Sequence, residues 1–147
     1  MKHYYENLTA LPMSVNDEYP GIVYPADLYD ALCHVWCEYT CTQRMRKDWS
    51  DDNRTLGQCS ITSFLAQDIF GGEVYGIPLP EGGFHCFNRV KEGDFDLTSE
   101  QFGDQKLDYE NCIRQERKEH FANTSKYERY VYLVQGLKDY LKKSEGI

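Results

Sequence analysis

Apolar residues recur at two different periods along the chain, and the change from one to the other divides it. Leu28, Leu32, Val35 and Tyr39 fall at spacings of three and four, which predicts a half-buried helix over residues 26–42. Pro25 suits the first turn of that helix, and Tyr29, Cys33, Trp36 and Cys37 widen its stripe. Residues 43–57 are charged and without period, so they predict a surface loop anchored by Trp49. In the next stretch, 59–70, Cys59, Ile61, Phe64, Leu65, Ile69 and Phe70 make a helix apolar nearly all round, which marks it as buried and central. Gly71-Gly72 stop it as a glycine C-cap.

The period then drops to two. Residues 73–79, 84–90 and 95–97 alternate between glycine-bearing turns at 80–83 and 91–94, which predicts an antiparallel meander. Thr98 and Gln101 have the spacing of a capping box that ends the sheet and opens a short helix. Two further helices are predicted over 108–121 and 125–143, the second with a stripe of Tyr127, Val131, Val134, Leu137 and Leu141. Residues 1–24, with Pro12 and Pro20-Gly21, read as an irregular arm packed on the rest. There is no internal repeat, so residues 1–147 are expected to form a single α+β domain.

At 147 residues the chain is long enough for one core, and 41% hydrophobic residues place it among folded proteins. A net charge of −8 argues against nucleic-acid binding, since nothing balances a phosphate backbone. That charge keeps the chain soluble, and any steering it exerts favours neutral or cationic substrates. No run approaches the roughly 18 apolar residues of a membrane helix, so no membrane partner is expected. The first residues lack the apolar core of a secretory signal, which predicts a cytoplasmic location with the six cysteines kept as thiols. On that reading the sequons at Asn7, Asn53 and Asn123 are chance.

The segment Gly57-Gln58-Cys59 carries the chemistry. A cysteine in the first turn of a buried helix meets unpaired backbone N–H groups and the positive end of the helix dipole, and both favour the thiolate. Gly57 permits a tight turn into the helix, and the Cys59 N–H can donate to an oxyanion. His85 opens a strand after a Gly-Gly turn, and Asp96 lies on the next strand. Of the four histidines it is the one expected in the sheet; His3 lies in the arm, His34 on a helix flank and His120 near a helix end. Cysteine on a helix, then histidine and aspartate on neighbouring strands, is the order of a thiol–imidazole–carboxylate triad.

Register complicates the third member. A hairpin turning on Glu92-Gly93 sets Asp96 opposite Arg89, four residues from His85, or roughly 13 Å along a strand. Glu100 and Asn88 are therefore alternatives to Asp96 as the orienting group. Cys33, Cys37 and Cys41, four apart on one helical face, resemble metal ligands superficially, but one helix offers no further donor. They read as small buried side chains, as does Cys112, and neither metal nor cofactor is called for.

Several pieces carry a family resemblance. GQC, with HCFNRV and FDLT after it, is similar to the cysteine, histidine and aspartate motifs of the transglutaminase-like group. GQCSITSFLAQDIFGG and HCFNRVKEGDFDLTSEQFG, with Trp36, Thr40, Trp49-Ser50, Asn53 and Glu128-Arg129-Tyr130, more closely resemble a family of small bacterial proteins called YunG-like. The resemblance implies a papain-like fold, a central nucleophile-bearing helix on a small antiparallel sheet, with Cys59, His85 and Asp96 as triad. Asn53 stands six residues before Cys59, where papain-like enzymes carry an oxyanion-hole amide; Gln58 is the other candidate. The expected activity is acyl transfer through a thioester on a peptide, protein or small amide or ester. The rivals are an inactive papain-like binding or regulatory module and a cysteine-based metal or redox sensor.

Overall fold

The computed structural model describes residues 12–145. Residues 1–11, with His3, Asn7 and the first part of the predicted arm, and residues 146–147 lie outside them. The elements are α1 (Pro25–Leu32), α2 (Cys59–Phe70), β1 (Glu73–Pro78), β2 (Phe84–Val90), β3 (Gly93–Phe95), β4 (Ile113–Gln115), α3 (Arg117–Phe121) and α4 (Thr124–Glu145). The architecture is α+β: a four-stranded antiparallel sheet in the order β3-β2-β1-β4, with helices packed on it.

α2 runs through the centre, and its all-round apolar composition explains why. Ile61, Leu65, Ala66 and Ile69 meet Leu28 and Leu32 of α1 and Leu133, Leu137 and Leu141 of α4 in one buried cluster. Phe64, on another side, packs with Val74 of β1 and Cys86 of β2. Polar ties fix its setting: Asn88 Nδ2 donates to the Ser63 carbonyl at 2.8 Å, and Trp36 Nε1 donates to Thr62 Oγ1 at 2.9 Å. The described part of the arm, residues 12–24, buries Tyr19 and Ile22 in the same core, and the Val15 N–H donates to the Ile69 carbonyl.

Four expectations need correction. The first predicted helix stops at Leu32 instead of continuing to residue 42. The segment beyond it is rich in β-branched and aromatic side chains, and the Thr40 hydroxyl bonds the N–H and carbonyl of Cys37, a local alternative to helical bonds. Cys33, Cys37 and Cys41 therefore do not share a helical face. Secondly, residues 108–121 form no single helix; they contain the edge strand β4, which pairs with β1, and only then α3. Thirdly, Tyr127 and Val131 of the predicted stripe are exposed on α4, and Leu133 takes the buried place. Finally, no capping box forms at Thr98: Gln101 Nε2 donates to the Thr98 carbonyl, at the start of a 3-10 turn over Ser99–Phe102.

The β2–β3 register also differs, with consequences for the site. Asn88 pairs with Phe95 and Val90 with Gly93, so the turn falls on Lys91-Glu92, one residue early. Continued, that register sets Asp96 opposite Phe87, two residues from His85 instead of four. A diagonal of that kind spans about 7 Å between backbones, which two side chains can bridge. Among the described residues, no helix is long and apolar enough to cross a membrane.

Candidate active site

Cys59 is the first residue of α2, half-buried, on a cleft of about 520 Å³ that His85 also lines. Gly57, two residues earlier, has φ +70°, and a Cβ there would stand 2.6 Å from Cys41 Sγ. Glycine is what lets the chain pass this close and turn into the helix. The Cys59 sulfur lies 3.8 Å from the Phe84 carbonyl oxygen, at the start of β2.

Alternation along β2 sends neighbours to opposite faces. Cys86 and Asn88 meet α2, whereas Phe87 packs against Tyr109 and His85 against Phe102. His85 is fully buried, and its Nε2–H donates to Asp96 Oδ2 at 2.7 Å. Asp96, also buried, accepts in addition from the Tyr109 hydroxyl at 2.8 Å and from the Thr98 N–H at 3.2 Å. Three donors hold the carboxylate in place. With Nε2 committed to Asp96, Nδ1 is the nitrogen left for proton transfer. It is buried and has no hydrogen-bond partner of ordinary geometry among the described residues.

Electrostatics couple the pair. Cys86 hydrogen-bonds to the Cys59 sulfur and, against the cost of burial, draws its pKa well below the ordinary 9.0; the His85 imidazole adds to the effect. The converse holds for Cys86, whose thiol, as donor to Cys59 and then through burial, is pushed well above its usual range. Burial works to lower His85, but the charge and hydrogen bond of Asp96, followed by those of Cys59, raise it to about 10. Both shifts favour the thiolate–imidazolium form of the pair.

Neither suggested side-chain amide reaches this pair. Gln58 is wholly buried, and its Nε2 donates inward to the Cys37 carbonyl at 3.2 Å. Asn53 lies in a separate small pocket with Cys33, Asp51 and Arg54. Of the alternatives to Asp96, Asn88 bonds α2 and Glu100 accepts from the Tyr29 hydroxyl. Donors for an oxyanion are thus the first-turn N–H groups of α2, which have no helical acceptor.

Several cleft residues escaped the sequence reading. Gln101 accepts from the Gly57 N–H through Oε1, tying the 3-10 turn to the entry of α2. Across the cleft stand His120 of α3 and Lys126 and Arg129 of α4. His120 Nε2–H donates to Gln115 Oε1 at 2.8 Å, and its Nδ1 accepts from Lys126 Nζ at 2.8 Å. Burial, and then the Lys126 charge, lower the His120 pKa to about 4, so the ring is neutral. The one available signal was Arg129 within Glu128-Arg129-Tyr130, a motif otherwise without a role.

A protein-family model described as YunG protein matches residues 24–142. From Bacillus subtilis (strain 168), the protein carrying the name uncharacterized protein YunG is 33% identical over 85 residues, 58% of this chain and 70% of that one. No solved structure matches the chain.

Proposed function

The chain belongs to the YunG protein family, and we propose that it acts as a cysteine-dependent hydrolase or acyltransferase on an amide or ester bond. Cys59 is its nucleophile, His85 its acid and base, and Asp96 the residue that orients His85. One observation carries this reading: Asp96 grips Nε2 of a buried His85 while Nδ1 is left for a thiol at a helix N-terminus. A structural histidine would have no need of a free inner nitrogen beside a thiol drawn toward its anion. A helix bearing the nucleophile, packed on an antiparallel sheet that bears the base, also supports the papain-like and transglutaminase-like assignment.

In this mechanism the thiolate attacks the carbonyl carbon, and the oxyanion accepts from the Cys59 N–H. The His85 imidazolium gives its proton to the leaving amine or alcohol, and a thioester remains. Neutral His85 then takes a proton from the acceptor, water or an amine, which displaces Cys59 and frees the product. Asp96 holds the ring throughout.

Iodoacetamide labelling, with the modified cysteines mapped by mass spectrometry, tests this. Cys59 should react fastest at pH 7, and His85→Ala should slow it by about tenfold for each unit its thiol pKa rises above 7. Equal rates at all accessible cysteines, or no effect of His85→Ala, would remove the catalytic reading.

A further inference from the structure

The chain carries a net charge of −8, yet the wall facing Cys59 is basic. Arg129 is 95% buried, being 5% exposed, and it sits on the cleft. Its Nη1 donates to the Thr40 carbonyl at 2.9 Å, and its Nε is buried with no partner among the described residues. Lys126, one helical turn earlier, spends one donor on the neutral His120 ring. Arg44 lines the cleft as well. Glu81 and Glu119 also border it, but among the described residues no carboxylate forms an ion pair with Lys126 or Arg129.

Buried cations are costly unless an anion answers them. Here the partners are a carbonyl and a neutral ring, and burial together with mutual repulsion depresses the pKa of Lys126. The Cys59 thiolate is one nearby anion, and the His85 imidazolium is shared between it and the Asp96 carboxylate. Of the two cations on α4, one positive charge is left over beside the nucleophile.

We infer that Lys126 and Arg129 form a subsite for a carboxylate carried by the molecule whose carbonyl Cys59 attacks. The substrate class is then an anionic amide or ester, with the carboxylate close to the scissile bond. Ammonium and guanidinium groups at a half-closed site suit a carboxylate through charge-assisted hydrogen bonds. The inference rests on Cys59 being the nucleophile, and it reverses the preference for neutral or cationic substrates that the overall charge implies.

Iodoacetate and iodoacetamide separate the two claims. In both, the thiolate displaces iodide from the same CH2 carbon; they differ in carboxylate against amide. The ratio of their rates at Cys59, divided by the same ratio for free cysteine, isolates the effect of the anion. That quotient should exceed one by about tenfold, the worth of one charge-assisted contact. Lys126→Gln should bring it toward one. Without any substitution, sodium acetate should slow iodoacetate more than sodium chloride does at equal ionic strength. A quotient of one, or one unmoved by both Lys126→Gln and acetate, overturns the subsite while fast labelling by iodoacetamide leaves the acyl-transfer reading standing. Slow, unselective iodoacetamide labelling is the other failure: it removes the acyl-transfer reading, and the subsite with it.

Discussion

Cys86 shows how much one thiol can depend on its neighbour. It follows the base directly on β2, so it faces α2 while His85 faces the other way, and its hydrogen bond is the largest influence lowering Cys59. Cys86→Ala removes that donor and fills the site with a small apolar group. The acid limb of the alkylation rate against pH should then move upward, toward the ordinary thiol range; an unmoved limb would show that His85 and the helix suffice. Nothing in the sequence marked Cys86 for this role, because a buried cysteine on a strand is as a rule a small hydrophobe. The meeting of Cys59 and His85 was legible, since a helix start and an alternating strand announce themselves locally, whereas Asp96 lies just past β3, which ends at Phe95 and not at residue 97. Lys126 and Arg129 were not legible: they reach the cleft from residues far along the chain, and the net charge points the other way. Gln58 points away from Cys59 because its neighbour in sequence is turned about 100° from it at the start of a helix.

Among the elements, α2 was the most legible and α1 the least. A helix apolar on all sides has only the centre to occupy, and its bounds, Cys59–Phe70, follow from the glycines at either end. The stretch after Leu32 keeps a helical spacing of apolar residues, but Thr40 and the aromatics fold it as turns that bury Trp36 instead. β4 is three residues long and gains its identity from pairing with β1, which no local pattern encodes. The entry to α2 gives the prediction at this scale. Gly57→Ala forces a side chain into φ +70° and against Cys41 Sγ at 2.6 Å. It should cost about 2 kcal/mol, or roughly 5 °C of melting temperature for a chain of this size, by thermal denaturation. Gly71→Ala, at φ +79° with no atom within 4 Å of its Cβ, should cost less.

Over the whole molecule, the Cys59–His85 pair contributes to stability in a pH-dependent way. The unfolded chain holds a proton on Cys59 below about 9 and on His85 below about 6.5, whereas the native pair keeps one proton, on His85, up to about 10. Between 6.5 and 9 each state therefore binds one proton, and the pair's contribution is flat. Below 6.5 the unfolded chain binds the extra proton and the contribution falls with pH; from 9 to 10 the native state binds more, and it falls as pH rises. Urea midpoints of the native chain, compared with those of a Cys59→Ala, His85→Asn double variant, should differ by a constant amount across the plateau and by less on either side. A difference that slopes steadily through neutral pH would contradict the ion pair. One further property follows from where α4 lies in the chain. Its leucines cover the central helix, and Lys126 and Arg129 come with it, after Cys59, His85 and Asp96 have all been synthesised. A nascent chain that has not yet released residues 124–145 from the ribosome holds Cys59, His85 and Asp96 on an uncovered core. The cleft is thus completed last in biosynthesis, when α4 closes over α2.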